Sequence, residues 1–341
     1  MVPAARGKRG ERELDKSQSA RRGADWSAIA VGSEAAVAQV AGTPARSRFQ
    51  REWRDWLLFV ALAGPNLLMF GIFNYRPLLY NVYLSFHEWD FLSPVPIPVG
   101  FDNYVEVLKD PHFHHVIVNT VELMVGGVCL TIAVGLGLAL LLNQRLAGRD
   151  AARSVMFAPY MLSGAAIAVV WVYIFDPTYG LIRTLVSPLG LAPPNWLRDT
   201  TWAMPAVIIV YTWKNLGYTM VVALAGLQAI PKELYEAATT DGANAWGRFR
   251  HVTLPGLAPI TFFLLVTGIL ASFQTFDLVH VLTRGGPVDA TTTLVYYLYE
   301  QGFIAFKAGY AGVASVFQFV VLFVITLVQI RYLERRVTYA G

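Results

Sequence analysis

The chain has 341 residues, of which 55% are hydrophobic and 15% charged, and its formal net charge is +4. Soluble domains carry roughly a quarter of their residues as charges, so this composition excludes an ordinary soluble globular protein and points to a membrane. The single cysteine, Cys129, excludes an internal disulfide. Most of the basic residues sit in a few short loops and the first 54 positions, a membrane pattern and not a nucleic-acid-binding face.

Residues 1–52 are rich in Arg, Lys, Ala, Gly and Ser, with few large apolar side chains. No run there has the length of a signal-peptide core. The composition predicts a disordered, basic cytoplasmic tail, with electrostatic anchoring to anionic lipid as the alternative role. Residues 53–341 form the membrane domain. Six apolar stretches follow, near 56–75, 116–142, 154–175, 203–228, 260–283 and 313–333. Each has the roughly 20 residues needed to cross a hydrocarbon layer of about 30 Å, so the expected fold is an all-α integral membrane protein with six transmembrane helices.

The first stretch carries Pro65 and ends on Asn74-Tyr75-Arg76-Pro77, so it is expected to bend or to run on as a shorter helix to about Phe86. The outer segment from His87 to His115 contains Gly100-Phe101-Asp102-Asn103-Tyr104 and Asp110-Pro111. His112, His114 and His115 lie close together there but lack metal-ligand spacing, and no metal is expected. The second stretch holds Gly126, Gly127, Gly135 and Gly137, which in a membrane helix mark close approach of a neighbour.

The fourth stretch places Trp213-Lys214-Asn215 near its middle. A charge at that depth costs roughly 2.5–3.5 kcal/mol on insertion scales. Lys214 therefore pairs with a carboxylate or with helix carbonyls, snorkels, or lines a translocation path. The fifth stretch contains Gln274 and Asp277, three residues apart on one helical face. The amides of Asn215 and Gln274 each offer donor and acceptor atoms suited to neutral hydroxyls. At 1.5 Å per residue their depths differ by about one turn, so they are expected to converge on one cavity. Beyond lie a turn signal, Gly285-Gly286-Pro287, then Thr291, Thr292 and Thr293, and an amphipathic run with Tyr296, Tyr297 and Tyr299.

Between the fourth and fifth stretches lies a polar insert, 230–259. Pro231 suits the first position of a helix, and Glu233 falls in its first turn, where a carboxylate is favourable. Asp241-Gly242 ends the helix, Gly at the left-handed position. Asn244 is placed to cap a second helix, and Leu254-Pro255 closes the insert. The loops on the side of this insert, with both termini, hold twenty Lys and Arg against five on the other side, which assigns the insert and both termini to the cytoplasm.

The chain has no phosphate-cradling Gly-Lys loop, no nucleophile elbow and no paired zinc histidines. No cofactor is expected in the chain, and if ATP drives it, a separate subunit binds the nucleotide. The order Glu236-Ala237-Ala238, Asp241-Gly242-Ala243, Leu254-Pro255 resembles the EAA loop of binding-protein-dependent ABC importer permeases. The segment 281–303, Gly226 to Pro231, and the Gly100–Asp110 region resemble those of the carbohydrate-uptake (maltose and glycerol-phosphate type) branch. The resemblance covers about 55–335, and the basic tail departs from it. It implies an ABC type I importer permease fold, no catalysis by the chain itself, and a bacterial-type inner membrane. It also implies a second homologous permease subunit, an ABC ATPase dimer that receives the Glu236 loop, and an extracytoplasmic solute-binding protein that delivers a sugar or polyol for alternating access. The competing expectation is an ion-gradient-driven carrier with Lys214 and Asp277 as its ionisable pair.

Overall fold

In the computed structural model, residues 48–144 and 147–333 are described. The tail expected over 1–52 lies outside the described residues as far as position 47. The chain divides into a unit ending at Tyr75 and a unit beginning at Arg76. The first holds α1 (Arg48–Phe70), which runs through Pro65 and closes in a single wide turn over Gly71–Tyr75.

The second unit begins with α2 (Arg76–Ser85). A two-residue antiparallel ribbon follows, β1 (His87–Glu88) against β2 (Ile97–Pro98), and then the short helix α3 (Asp102–Lys109). Buried Asn103 holds this segment together, its Nδ2 donating to the carbonyls of Ser85 and His87 at 3.0 Å each. The long helix α4 (Pro111–Leu142) starts on Pro111 at its first position, with the Asp110 carboxylate accepting from the His112 N–H. His112, His114 and His115 thus stand in the first turn of α4. The remaining major elements are α5 (Arg149–Met161), α6 (Gly164–Ile174), α7 (Leu181–Val186) and α8 (Thr200–Ala229). The insert follows as α9 (Lys232–Thr240), α10 (Ala245–Arg248) and α11 (Leu254–Gly256). The chain then forms α12 (Ala258–Phe273), α13 (Phe276–Leu282), α14 (Leu294–Tyr299) and α15 (Ala308–Leu333).

Among the described residues four helical stretches are long and apolar enough to cross a membrane: Trp56–Ser85, α4, α8 and Ala308–Arg331. Two bent pairs bring the number to six if each counts as one span: α5 with α6, at 104°, and Ala245–Gly256 with α12, at 61°. The third and fifth stretches, expected as continuous helices, are broken, the third at the 104° bend and the fifth between α12 and α13, whereas the 61° bend lies ahead of the fifth stretch at Leu257. In the third, Leu162 is extended after Pro159, and Ser163 restarts the helix by accepting the Ala166 N–H on its Oγ at 3.3 Å. In the fifth, Gln274 and Thr275 leave helical geometry, and Thr275 Oγ1 donates to the Ala271 carbonyl at 3.0 Å. Such Ser and Thr contacts supply partners for backbone groups freed inside a lipid layer. The two breaks meet: the Asp277 carboxylate lies against Gly164, where any side chain would overlap it.

The centre of the second unit is α8. Half of its most apolar window is buried, against 33% for α4 and 17% for the last span, so α8 is the helix that the others surround. In lipid, apolar burial drives helix association weakly, and close packing of small residues matters more. The packing shows this. Gly217 of α8 touches the α5 backbone, a Cβ there falling 2.6 Å from the Phe157 Cα. Gly126, Gly127 and Gly135 of α4 accommodate Ile208, Tyr211 and Thr219 of α8, as expected of close-approach glycines, whereas Gly137 faces open space. At the N-terminal end of its length α4 also pins the 283–293 loop. Asn119 Nδ2 donates to the carbonyls of Asp289 (2.7 Å) and Thr292 (3.1 Å), and Thr120 Oγ1 accepts from the Leu294 N–H.

Substituting Gly217→Leu is expected to force α5 off α8. Overpacking costs typically 1–3 kcal/mol, and no flexible side chain is available to yield. The yield of folded protein after detergent extraction, followed by fluorescence size-exclusion, should fall severely, while Gly137→Leu should leave it unchanged.

Candidate functional site

A cavity of about 260 Å³ opens between α4, α5, α8 and α12. Its polar walls are hydroxyls and one amide: Thr131 from α4, Tyr160 from α5, Tyr211, Asn215, Tyr218 and Thr219 from α8, and Thr267 from α12. Leu264, Val128 and Ile132 close the apolar side, and no charged residue lines it. Tyr211 donates its hydroxyl to the Gly268 carbonyl at 3.1 Å, and Asn215 Nδ2 donates to the Tyr211 carbonyl at 2.8 Å. Thr131 Oγ1 is buried and has no protein partner. Tyr160 and Tyr218 stack at 4.8 Å and 17°.

The other residues expected along a substrate path are not brought together here. Trp213 is 40% exposed and meets Trp171 edge-on at 5.6 Å. Lys214 stands beside the cavity wall, its Nζ 6.0 Å from the Tyr160 ring centre. Gln274 is exposed at the break between α12 and α13 and does not line the cavity with Asn215. Asp277 accepts from its neighbour's N–H at Leu278 (3.0 Å) and sits against Gly164. Lys214 and Asp277 form no ion pair. The ion pairs among the described residues are His112–Asp289, Arg149–Asp150 and Arg153–Asp150. No cluster of metal-ligating side chains occurs among them either.

The polar insert is a small folded body. In α9, Pro231 stands as the N-terminal cap, one position ahead of the expected first turn. At the other end the Gly242 N–H donates to Thr239 O (3.0 Å) and the Ala243 N–H to Ala238 O (2.9 Å). Gly242 has φ +80, the left-handed value expected of it at this corner. Asn244 caps α10 through its Oδ1, accepting from the Gly247 N–H at 2.8 Å, as its position in the sequence predicts. Two side-chain contacts cross the corner: Arg248 Nη1 donates to Thr239 Oγ1 (3.1 Å), and Tyr235 OH meets Thr253 Oγ1 (3.0 Å). Glu236, Ala237, Asp241 and Gly242 are exposed, as are Leu254 and Pro255, and Ala238 is half-buried. Leu234 (51%), Trp246 (66%) and Leu254 (45%) leave apolar side chains uncovered on a polar loop.

Residues 131–339 match the family described as binding-protein-dependent transport system inner membrane component. The chain belongs to this family. The sn-glycerol-3-phosphate transport system permease protein of Brucella abortus is 35% identical over 282 residues, covering 82% of this chain and 95% of that protein. A probable ABC transporter permease protein of Pyrococcus horikoshii is 34% identical over 264 residues, covering 76% and 90%. Among solved structures, a bacterial ABC transporter involved in the import of the acidic polysaccharide alginate superposes with a TM-score of 0.73 at 28% identity, covering 86% of this chain and all of that one. The same transporter in complex with an alginate pentasaccharide-bound periplasmic protein gives 0.74 at 27% identity, covering 85% and 98%.

In this inner membrane component, then, the cavity and the folded insert are carried by the same helix, α8, which lines the cavity at Tyr211, Asn215 and Tyr218 and ends where the insert begins. Sequence reasoning reached Asn215 but not Tyr160, Tyr211, Tyr218, Thr131 or Thr267. The signal for the α8 members was present as Tyr211, Asn215 and Tyr218, spaced four and three apart on one helical face.

The cap at Asn244 is expected to set the stability of the insert. Removing such a cap costs about 0.5–2 kcal/mol. In membranes, Asn244→Ala should raise the initial rate of tryptic cleavage at Arg250 about fivefold, with cleavage outside the insert unchanged. An unchanged rate would assign the order of this corner to other contacts.

Proposed function

We propose that the chain is the substrate-conducting permease subunit of an ATP-driven importer for a sugar or a related polyol. The observation that carries this reading is a hydroxyl- and amide-lined cavity built on the helix that leads into the folded insert, in a chain of this family. Relatives for sn-glycerol 3-phosphate and for alginate support a hydroxyl-rich substrate. An ion-gradient-driven carrier loses its basis, because Lys214 and Asp277 are not paired and the family is one of binding-protein-dependent transport.

In this proposal a periplasmic binding protein delivers substrate, and a second permease subunit completes the path. Two ATPase subunits bind ATP, and the chain itself makes and breaks no covalent bond. Glu236, Ala237, Ala238, Asp241, Gly242, Leu254 and Pro255 form the coupling surface. Small side chains let the ATPases approach closely, Leu234, Trp246 and Leu254 supply apolar contact, and Glu236 supplies a charge for a basic partner. Substrate hydroxyls bond to Asn215, Thr131 and the tyrosines, while Trp213, Lys214, Gln274 and Asp277 stand along the route. Alternating closure of the ATPases moves the insert and, through α8, the cavity wall. The charge bias of twenty to five supports a cytoplasmic position for both termini and the insert.

Two experiments test this. Cys129 is exposed and must be replaced first. In that background, Cys at Thr240 should react only with reagent on the cytoplasmic side and Cys at Asp289 only with reagent outside. Labelling of both from one side contradicts the orientation. In reconstituted transporter, Glu236→Lys and Gly242→Trp should insert and assemble normally yet lose most substrate-stimulated ATPase activity. Normal stimulation in both would remove the coupling role from this loop.

A further inference from the structure

Lys214 lies near the middle of α8, where a cation costs roughly 2.5–3.5 kcal/mol unless something compensates it. Among the described residues no carboxylate is within ion-pair distance of it. Its aromatic neighbour does little, since 6.0 Å from the Tyr160 ring centre is the outer limit of a cation–π contact. Yet its surroundings are those of the cavity. Tyr160 lines the cavity, and Tyr218, one helical turn beyond Lys214 on the same face of α8, lines it too and stacks on Tyr160. Asn215, the next residue, is a wall of it. The cavity therefore offers neutral hydrogen-bonding groups, and the Lys214 ammonium, which does not itself line it, stands against one of its walls, Tyr160. The walls contain no carboxylate to repel an anion.

We infer that Lys214 is a specificity residue: its ammonium takes an anionic group of the substrate, a phosphate or carboxylate, while the Thr131, Asn215 and tyrosine side of the cavity takes the hydroxyls. This rests on the cavity being the substrate site. The side chain is suited to the task. The Lys stem is flexible over four carbons, and its ammonium is a compact point charge with three donors. A charge-assisted hydrogen bond is about twice as strong as a neutral one. Binding would also neutralise the isolated cation at the step in which substrate occupies the membrane, so the anionic group and Lys214 compensate each other. The substrate class that fits is a polyol phosphate or a sugar acid, in preference to a neutral sugar.

The test uses the whole transporter, with partner permease and ATPases, in lipid nanodiscs without nucleotide. Thermal stabilisation is titrated with two anions, sn-glycerol 3-phosphate and glucuronate, and with their neutral counterparts glycerol and glucose. At least one anion should stabilise the wild type at a concentration at least tenfold below that of its counterpart. Lys214→Gln should abolish that preference, raising the half-saturating anion concentration about tenfold, and Lys214→Arg should retain it. Lys214→Met replaces the Gln variant if that one fails to assemble. Asn215→Leu should weaken anion and neutral binding alike. Equal binding of the neutral counterparts, no stabilisation by either anion, or an anion preference that survives Lys214→Gln overturns the inference. Unaltered binding in Asn215→Leu together with loss in Lys214→Gln would instead overturn the cavity as the site, leaving the charge requirement standing.

Discussion

Inside a hydrocarbon layer a helix cannot stop without finding partners for the backbone groups it releases. This protein stops two helices within its apolar stretches, at Leu162–Ser163 and at Gln274–Thr275, and the way it meets that demand shapes its interior. Ser163 and Thr275 supply side-chain oxygens to the loose ends, and Asp277 is set against Gly164 so that the two interruptions face each other. An unbroken α5–α6 rod would carry Tyr160 along a straight line. The 104° bend instead holds α5 against α8 at Gly217 and leaves Tyr160 stacked on Tyr218 at the cavity wall. Leu162, Ser163 and Gln274 are exposed and none of the interrupted residues lines the cavity, so the breaks set the course of the helices around the cavity without forming its wall.

The insert obeys a different physics. It needs no lipid and makes its own order: a left-handed glycine, a capping asparagine and two hydrogen bonds across the corner. A segment already fixed in this way loses little conformational freedom when a partner covers its exposed Leu234, Trp246 and Leu254. Its root is equally firm. Ile230, at the end of α8, is buried beneath Gly256 and joins Leu257 in one apolar cluster. The insert and α8 therefore share a packed junction in place of a flexible tether.

What was legible in the sequence follows from how local each signal is. The insert was legible almost residue by residue, since Gly242, Asn244 and the small residues around Glu236 act through contacts within a few positions. The glycines of α4 announced close packing for the same reason, with Gly137 the exception because its face of the helix meets nothing. The helix breaks were not legible. Ser163 and Thr275 are ordinary residues in a membrane helix, and hydropathy averages over them. Each acts on a backbone group only three or four residues away, but the meeting of the two breaks, Asp277 against Gly164, joins positions more than a hundred residues apart. The same holds for the cavity. Asn215 stood out as a polar residue in an apolar run, but Thr131, Tyr160 and Thr267 are each unremarkable until three other helices converge on α8. Gln274 drew attention by the same polarity and lies at a break, away from that convergence.

The contact at Gly217 has a mechanical meaning. It presses α8 directly on the α5 backbone, with no side chain between to cushion the two. Tyr211 lies six residues to one side of it and Ala229 twelve to the other, or about 9 Å and about 18 Å along the axis. A rigid helix rocking on that point behaves as a lever with unequal arms. A rigid turn of α8 about that point would carry Ala229 twice as far as Tyr211, so a broad displacement at the insert would reach the tyrosine as a fine one.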